Sequence, residues 1–175
     1  MKSTKILIAI VILMNVLFIT SSQAQQLKFY DKTTTPLKTE FKMDKMVTLS
    51  NLPAKIDEAH IGLIKFSDFK KIITDPDTNR IRSLFYDNVR DDLGINNPVN
   101  EKISKTLSDK KFSLFPLLNN GVTIIAEKNT GTSSKFILDN FQIVNGCQTS
   151  NVIFTHIDDE GIEDLVIPVR SEEHT

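Results

Sequence analysis

Two short apolar segments separated by a polar turn are the feature that most constrains the fold of this chain. Residues 122–126 and residues 135–138 are mostly apolar, and the segment between them, residues 129–134, is Asn-Thr-Gly-Thr-Ser-Ser. Apolar runs of this length bounded by turn residues are typical of buried strands. A further strand is predicted at residues 141–144. The sequence therefore predicts a hairpin and a sheet in the C-terminal half of the chain.

Predicted helices alternate with these strands. Residues 148–155 favour a helix directly after the third strand, and Ser67 and Asn100 are suitable N-caps for two further helices. Those helices are expected to extend through Ile73 and Leu107. Shorter strands are predicted at residues 45–49, 60–65 and 165–169. This mixture indicates an α/β or α+β domain, with a mixed sheet and flanking helices, that is incomplete at its C-terminus.

The first 25 residues have the pattern of a secretory signal sequence. Two lysines precede an apolar run, residues 6–19, and Ser22-Gln23-Ala24 resembles a small-x-small cleavage site. The run is shorter than the roughly 20 residues that a membrane-spanning helix needs, so no stable membrane partner is expected. The alternative is a buried strand at residues 16–19 that leads into a helix through residues 23–30. The N-terminal segment is therefore either signal-like or strand-containing.

The last residues have an unusual composition. Residues 170–175, Arg-Ser-Glu-Glu-His-Thr, are the translation of AGA TCG GAA GAG CAC ACG, which begins a widely used sequencing adapter. We therefore expect residues 170–175 to be an adapter artefact and the natural protein to continue past Val169. They are excluded from sequence-based reasoning about the fold or a site, like any fusion scar. The partial domain is expected to span residues 26–169.

Charge and metal-binding residue types exclude several classes of function. The formal net charge is −1, from 21 basic and 22 acidic residues, so the chain lacks the strongly basic balance of many nucleic-acid-binding domains. The single cysteine, Cys147, excludes an intramolecular disulfide framework and a multi-cysteine zinc site. The three histidines, His60, His156 and His174, lack metal-ligand spacing. No metal site is predicted, and no cofactor is evident.

Two asparagine-glycine turns are the strongest candidates for a binding site. Asn119-Asn120-Gly121 precedes a predicted strand, and Asn145-Gly146 separates a strand from the helix that begins near Gln148 and Thr149. Glycine permits positive φ and close approach of a ligand to the backbone, and a helix N-terminus presents N–H groups that suit phosphate. The alternatives are a plain hairpin turn for the first pair and helix capping by Gln148 or Thr149 for the second.

Three blocks of sequence, two of which contain these turns, together carry a family resemblance. They are Phe85-Tyr86-Asp87-Asn88-Val89-Arg90, the segment Leu118–Ile124 around the first turn, and the segment Gln142–Ser150 around the second. With Asn97–Asn100 and Ile103–Leu107 between them, they resemble the signature segments of the AIPR family of abortive-infection phage-resistance proteins.

The resemblance extends from about Phe29 to Val169. It implies a role in bacterial defence against phage and a cytoplasmic location; the alternative location, if residues 1–24 are a functional signal, is export. The segment Asn145–Thr149 also resembles the strand–Asp-Gly-Gln-Arg–helix element of ParB-like proteins, with Asn145 in place of the acid and Thr149 in place of arginine. Losing both charges argues against hydrolysis while leaving phosphate binding in place.

Three functions are consistent with these residues. The first is binding of a nucleotide or nucleic acid through the two turns, with Arg90 as counter-charge because arginine suits planar phosphate contacts. The second is a magnesium-dependent nuclease that uses Asp87, Asp91 or Asp92 as metal ligands. The third is a non-catalytic domain that recognises a phage component. The catalytic residues remain unassigned, and the predicted binding residues are Asn88, Arg90, Asn119, Asn120, Gly121, Asn145, Gly146, Gln148 and Thr149.

Overall fold

A computed structural model describes residues 37–53, 55–82, 84 and 97–174 of the chain. This part contains six strands, four α-helices and two 3₁₀ turns. The strands are β1 (Lys38–Lys42), β2 (Asp44–Thr48), β3 (Ile56–Lys65), β4 (Val122–Asn129), β5 (Lys135–Asn145) and β6 (Val166–His174). The helices are α1 (Phe66–Ile73), α2 (Pro98–Ser108), α3 (Phe115–Leu118) and α4 (Cys147–Thr155), and the 3₁₀ turns are Phe112–Leu114 and Ile162–Asp164.

The strands form one mixed sheet in the order β1-β5-β4-β6-β3-β2. All neighbouring pairs are antiparallel except β4 and β6, which are parallel. The connection between these two parallel strands includes β5 and α4, as a parallel pair needs a long crossover. The α+β class with a mixed sheet and helices is therefore confirmed.

The sheet curls until its two edges meet. Strands β1 and β2 lie at opposite ends of the strand order, yet only Met43 separates them in the chain. Consecutive Cα atoms are about 3.8 Å apart, so both edges must come together at this residue. Met43 is 1 % exposed, and a Cβ added at Gly62 on β3 would lie 2.5 Å from its Cγ. The first two strands are thus one bent strand that closes the sheet into a barrel-like layer.

The barrel interior is filled by apolar side chains from several strands. Phe41 of β1 and Phe136 of β5 stack with ring centroids 5.2 Å apart, and His60 of β3 meets Phe136 edge-on at 5.0 Å. Strands β5 and β3 are separated by two others in the sheet, so this contact is made across the closed layer. The imidazole of His60 also bonds Thr48 Oγ1 through Nδ1 at 3.1 Å. His60 is therefore a core residue.

The sequence predicted most strands, with two corrections. Residues 135–138 and 141–144 were expected to be separate strands, but β5 is continuous from Lys135 to Asn145. The predicted break falls at Asn140, which has a φ of 49° and lies between Asp139 and Phe141, both of which pair with β4. Asparagine tolerates this left-handed conformation better than most residues. Strand β1 was not predicted.

Two predicted helix starts were wrong. Helix α1 begins at Phe66, after Lys65, so Ser67 lies in its first turn and is not the N-cap. Helix α2 begins at Pro98, and the Asn97 side chain caps it by accepting a bond from Val99 N–H at 2.8 Å. Proline is favoured at the first helical position because it has no N–H to satisfy there. The cap is therefore three residues earlier than the predicted Asn100.

The ends of the chain add two facts. Strand β6 was expected to end at Val169, but its backbone pairs with β3 as far as His174 and with β4 as far as Glu173. The adapter interpretation of residues 170–175 concerns the origin of the DNA, so strand pairing does not test it. The signal-like residues 1–25 lie outside the described part of the chain. Within that described part, no helix has the length and apolarity needed to cross a membrane.

Candidate functional site

The two asparagine-glycine turns come together in the structure. A Cβ placed on Gly146 would lie 2.7 Å from the carbonyl oxygen of Gly121 and 2.9 Å from Val122 Cα. Gly121 in turn fits against β6, where its Cβ would lie 2.3 Å from the Pro168 carbonyl oxygen. Both glycines have positive φ, 77° at Gly121 and 92° at Gly146. Only glycine fits either position, so the two turns form one closely packed backbone unit.

The strand register places Asn145 in the same row of the sheet as residues of β4 and β6. Thr123 pairs with Asn145 on one side and with Arg170 on the other. Directly paired residues share a face of the sheet. The register slips between Thr123 and Ile124, because Val144 is an extra residue on β5. This bulge, a feature common beside functional sites, sets the exposed Asn145 next to Thr123.

Helix α4 starts immediately after the glycine pair. Gly146 is its N-cap, and Ser150 N–H makes the first helical bond to the Gly146 carbonyl oxygen at 2.8 Å. Because glycine has no side chain, the first-turn amides of Gln148 and Thr149 receive no N-cap acceptor. Gln148 is half-buried and Thr149 is 8 % exposed. The predicted capping by Gln148 or Thr149 is therefore wrong, since both lie within the helix.

Asn119 and Asn120 have different roles in the first turn. The Asn119 side chain is half-buried, and its Nδ2 donates to the Phe115 carbonyl oxygen at 3.1 Å, which satisfies the end of α3. Asn120 is exposed beside it. Asn119 also lines a pocket of about 380 Å³ together with Lys102 of α2. Of the two residues, only Asn120 projects into solvent, and Lys102 is a nearby cation that the sequence did not single out.

The charge around this pocket is partly neutralised. Asp109 accepts hydrogen bonds from Lys111 at 2.8 Å and from Lys105 at 3.4 Å, and all three residues line the pocket. The hydrogen bond from Lys111 is the main reason that the pKa of Asp109 lies below its usual value, with Lys105 adding to the effect. Among the described residues that line this pocket, Lys102 is the cation that is not paired with an acid.

Two predicted binding residues, and the aspartates that the nuclease alternative would use, fall outside the described residues. These are Asn88 and Arg90, with Asp87, Asp91 and Asp92. The described residue nearest before them is Leu84, whose carbonyl oxygen accepts a bond from Ile143 N–H at 2.9 Å. The chain therefore enters that segment two residues from Asn145. Across the described ranges, no group of three or more acidic, histidine or cysteine side chains is placed to hold a metal.

A serine, a histidine and an aspartate form a hydrogen-bonded chain elsewhere on the molecule. Ser104 Oγ lies 2.8 Å from His156 Nε2, and His156 Nδ1 lies 2.5 Å from Asp159 Oδ2. The order is that of a nucleophile, a base and an orienting acid. Ser104 is within α2, however, where its own amide is used by the helix and supplies no oxyanion donor. Asp159 is also half-exposed. We interpret this chain as a tie between α2 and the C-terminal end of α4.

The fold and the paired turns define an α+β domain in which two glycine turns pack together at the start of a helix. The AIPR protein family model matches residues 85–171. That segment includes α2, α3, both asparagine-glycine turns, α4 and most of β6, and through it the chain belongs to the AIPR family. The family supports a role in abortive infection and phage resistance. Searches of curated proteins and of solved structures each gave no significant match.

Proposed function

We propose that this AIPR domain binds phosphate groups of a nucleotide or nucleic acid at the two asparagine-glycine turns. The observation that carries the proposal is the contact between the turns, in which a Cβ on Gly146 would lie 2.7 Å from the Gly121 carbonyl oxygen. Neither glycine adds a side chain of its own, so the exposed amides of Asn120 and Asn145 and the start of α4 are the groups that a ligand would meet. Such a surface lets a ligand approach the main chain.

Helix α4 provides the electrostatic attraction in this proposal. Its N-terminus begins at Gly146, where the helix dipole and the first-turn amides favour an anion by about 0.3–1 kcal/mol at an exposed site. Asn120 and Asn145 are both exposed and carry amide donors that suit phosphate oxygens. A helix end alone binds anions weakly, so the proposal also needs a cation.

Two residues are candidates for that cation. Lys102 lines the same pocket as Asn119, and Asn119 is two residues before Gly121 in the chain. Arg90, the counter-charge predicted from the sequence, lies outside the described residues, six positions after Leu84 in the chain. The Leu84 carbonyl oxygen accepts a hydrogen bond from Ile143 N–H, two residues before Asn145 at the end of β5. Arginine would add planar, bidentate contacts that lysine cannot make.

Thermal melting of the full chain with and without ATP, or with a short single-stranded DNA, tests the proposal. A ligand at a hundred times its Kd raises the free energy of unfolding by about 2.7 kcal/mol, which is readily seen as a melting shift. We expect Asn145→Ala and Lys102→Ala to reduce that shift. Asn51→Gly is the matched control, because Asn51 is an exposed turn asparagine with a φ of 57°, which glycine accepts without strain.

The control variant should retain the full ligand-induced shift. If Asn145→Ala, Lys102→Ala and Asn51→Gly all behave like the unmodified chain, the turns do not bind the ligand. Magnesium-dependent degradation of the DNA that is lost on Asp87→Ala would instead favour the nuclease. Binding of neither ligand, with capture of a phage protein, would favour the interaction domain.

A further inference from the structure

A second polar cleft lies between strand β1 and helix α1. It has a volume of about 470 Å³, within the roughly 300–1,000 Å³ of small-ligand sites. One wall is formed by Ser67, Lys70 and Lys71, which share one face of α1, and by Thr74, the residue that ends this helix. The other walls come from Lys38–Glu40 of β1 and from Pro76 and Arg82 of the following turn.

The strand wall of this cleft is a sheet edge. Strand β1 pairs with β5 on one side only, and on the other side Lys42 N–H donates to Asp68 Oδ2 of α1 at 3.3 Å. Amide directions alternate along a strand, so the N–H groups of Glu40 and Lys38 point the same way as that of Lys42. The register of β1 on β5 is regular over all five residues. The cleft therefore faces main-chain donors of an edge strand.

The helix wall contains a buried hydroxyl with no partner. Thr74 is 9 % exposed, and within the described part of the chain its Oγ1 makes no hydrogen bond. Its backbone is fully used, because Thr74 N–H donates to Lys70 O at 2.9 Å and Thr74 O accepts from Arg82 Nε at 2.9 Å. Buried polar groups are nearly always satisfied, so an orphan hydroxyl calls for a ligand or an ordered water.

The residues that line the cleft include four cations, and acids lie near three of them. Lys38, Lys70, Lys71 and Arg82 line the cleft, against one acid, Glu40, which is paired with Lys135 at 3.0 Å. Lys38 is 3.5 Å from Asp139 and Lys71 is 2.7 Å from Asp68. Among the described residues, no ion pair involves Lys70. Lys70 is thus the lining cation available to a ligand, whereas Asp139, Asp68 and Asp75 offset Lys38, Lys71 and Arg82.

We propose that this cleft is a second phosphate site, in which Lys70, Arg82 and the Thr74 hydroxyl hold one phosphate group of a phosphorylated ligand. The Thr74 hydroxyl supplies a hydrogen-bond donor, and Lys70 supplies a flexible ammonium group. Arg82 supplies a planar guanidinium group, whose Nε already donates a hydrogen bond to the Thr74 carbonyl oxygen. The shared chemistry is a phosphate ester or anhydride, from a free phosphate compound or from a polynucleotide. The site is distinct from the asparagine-glycine turns, since Asp139 beside Lys38 and Asn145 are six residues apart on β5, about 20 Å for an extended strand.

Titration of the full chain with inorganic pyrophosphate, and separately with a twelve-nucleotide single-stranded DNA, tests this site. Lys70→Gln and Thr74→Val are expected to weaken pyrophosphate binding by about tenfold each, the size of one charge-assisted hydrogen bond. Arg82→Gln should do the same, and the first two variants keep the test valid if loss of the Arg82–Thr74 bond unfolds the chain. Lys128→Gln, an exposed lysine on β4, is the matched control and should bind like the unmodified chain.

The two probes separate the sources of phosphate. Binding of pyrophosphate that Lys70→Gln weakens and Lys128→Gln does not supports the site and assigns it to small phosphate compounds. Binding of DNA alone, with the same pattern of variants, supports it and assigns it to a polynucleotide. If neither probe binds, or if Lys70→Gln and Thr74→Val bind as tightly as Lys128→Gln, the proposal is wrong. Asn145→Ala belongs to the other site and should leave the effect of Lys70→Gln unchanged.

Discussion

The unpartnered hydroxyl of Thr74 gives a stability prediction that does not depend on any ligand. Thr74→Val replaces the hydroxyl with a methyl group of similar size and keeps the branched side chain, which suits the extended backbone at this position, with φ −106° and ψ 133°. A buried polar group without a partner costs roughly 1–3 kcal/mol. We therefore expect Thr74→Val to raise the free energy of unfolding by about 1 kcal/mol, although it weakens phosphate binding.

The chain contains a closely matched control for this change. Thr106 of α2 is also 9 % exposed, but its Oγ1 donates to the Lys102 carbonyl oxygen at 2.9 Å. Valine and threonine have similar helix propensities, so Thr106→Val chiefly removes this hydrogen bond. The expected loss is about 0.5–1.5 kcal/mol. The same substitution at two equally buried threonines should thus have opposite signs.

Urea unfolding of the two variants and the unmodified chain, without phosphate in the buffer, measures both effects. An increase of 1 kcal/mol corresponds to a rise in Tm of about 4 °C for a domain of this size. If Thr74→Val lowers stability as much as Thr106→Val does, the Thr74 hydroxyl is hydrogen-bonded in solution. Its place in the second phosphate site would then have no physical basis.

Two further predictions concern the turn after α1 and the closure of the sheet. The pKa of Asp75 lies below its usual 3.8, chiefly because Thr78 donates backbone and side-chain bonds to it, so its stabilising effect is present at neutral pH and is lost as the pH falls through the folded-state pKa. Asp75→Asn should therefore lower stability at neutral pH and not in acid, as urea unfolding at both pH values would show; an equal loss at both would contradict this. Gly62→Ala should lower the free energy of unfolding by about 1–3 kcal/mol, because the new Cβ would lie 2.5 Å from Met43 Cγ. This loss should be smaller in a Met43→Ala background. An equal loss in both backgrounds would show that Met43 does not pack against Gly62.

The sequence predicted the elements whose signals are local. The hairpin around residues 129–134 and the helix after Gly146 follow from turn residues and apolar spacing within a few positions. Strand β1 was missed because its sequence, Lys-Thr-Glu-Phe-Lys, contains one strongly apolar residue. Its extended form is fixed by β5, which lies almost a hundred positions later in the chain. Pairing at this distance leaves no mark in a short window of sequence.

The candidate site was predictable in residue type but not in arrangement. Positive φ at Gly121 and Gly146 follows from the asparagine-glycine pairs themselves. Their contact depends on β6 lying parallel to β4, which sets Pro168 against Gly121 and leaves the other side of Gly121 for Gly146. Lys102 was missed because a single lysine on an amphipathic helix has no distinctive spacing. The cleft beside β1 was missed because β1 itself was.

The length of strand β5 sets the distance between the two proposed phosphate sites. Strand β5 passes both, with Asp139 beside Lys38 of the cleft and Asn145 at the paired turns. Between these two residues β5 runs along β4, so Asp139 and Asn145 are about 20 Å apart, as six residues of an extended strand require. Inorganic phosphate and pyrophosphate are far shorter than this separation, so one such ion cannot occupy both sites. Small phosphate compounds must therefore bind the sites independently, and any coupling between Lys70→Gln and Asn145→Ala in DNA binding would have to come from a single polynucleotide that reaches both.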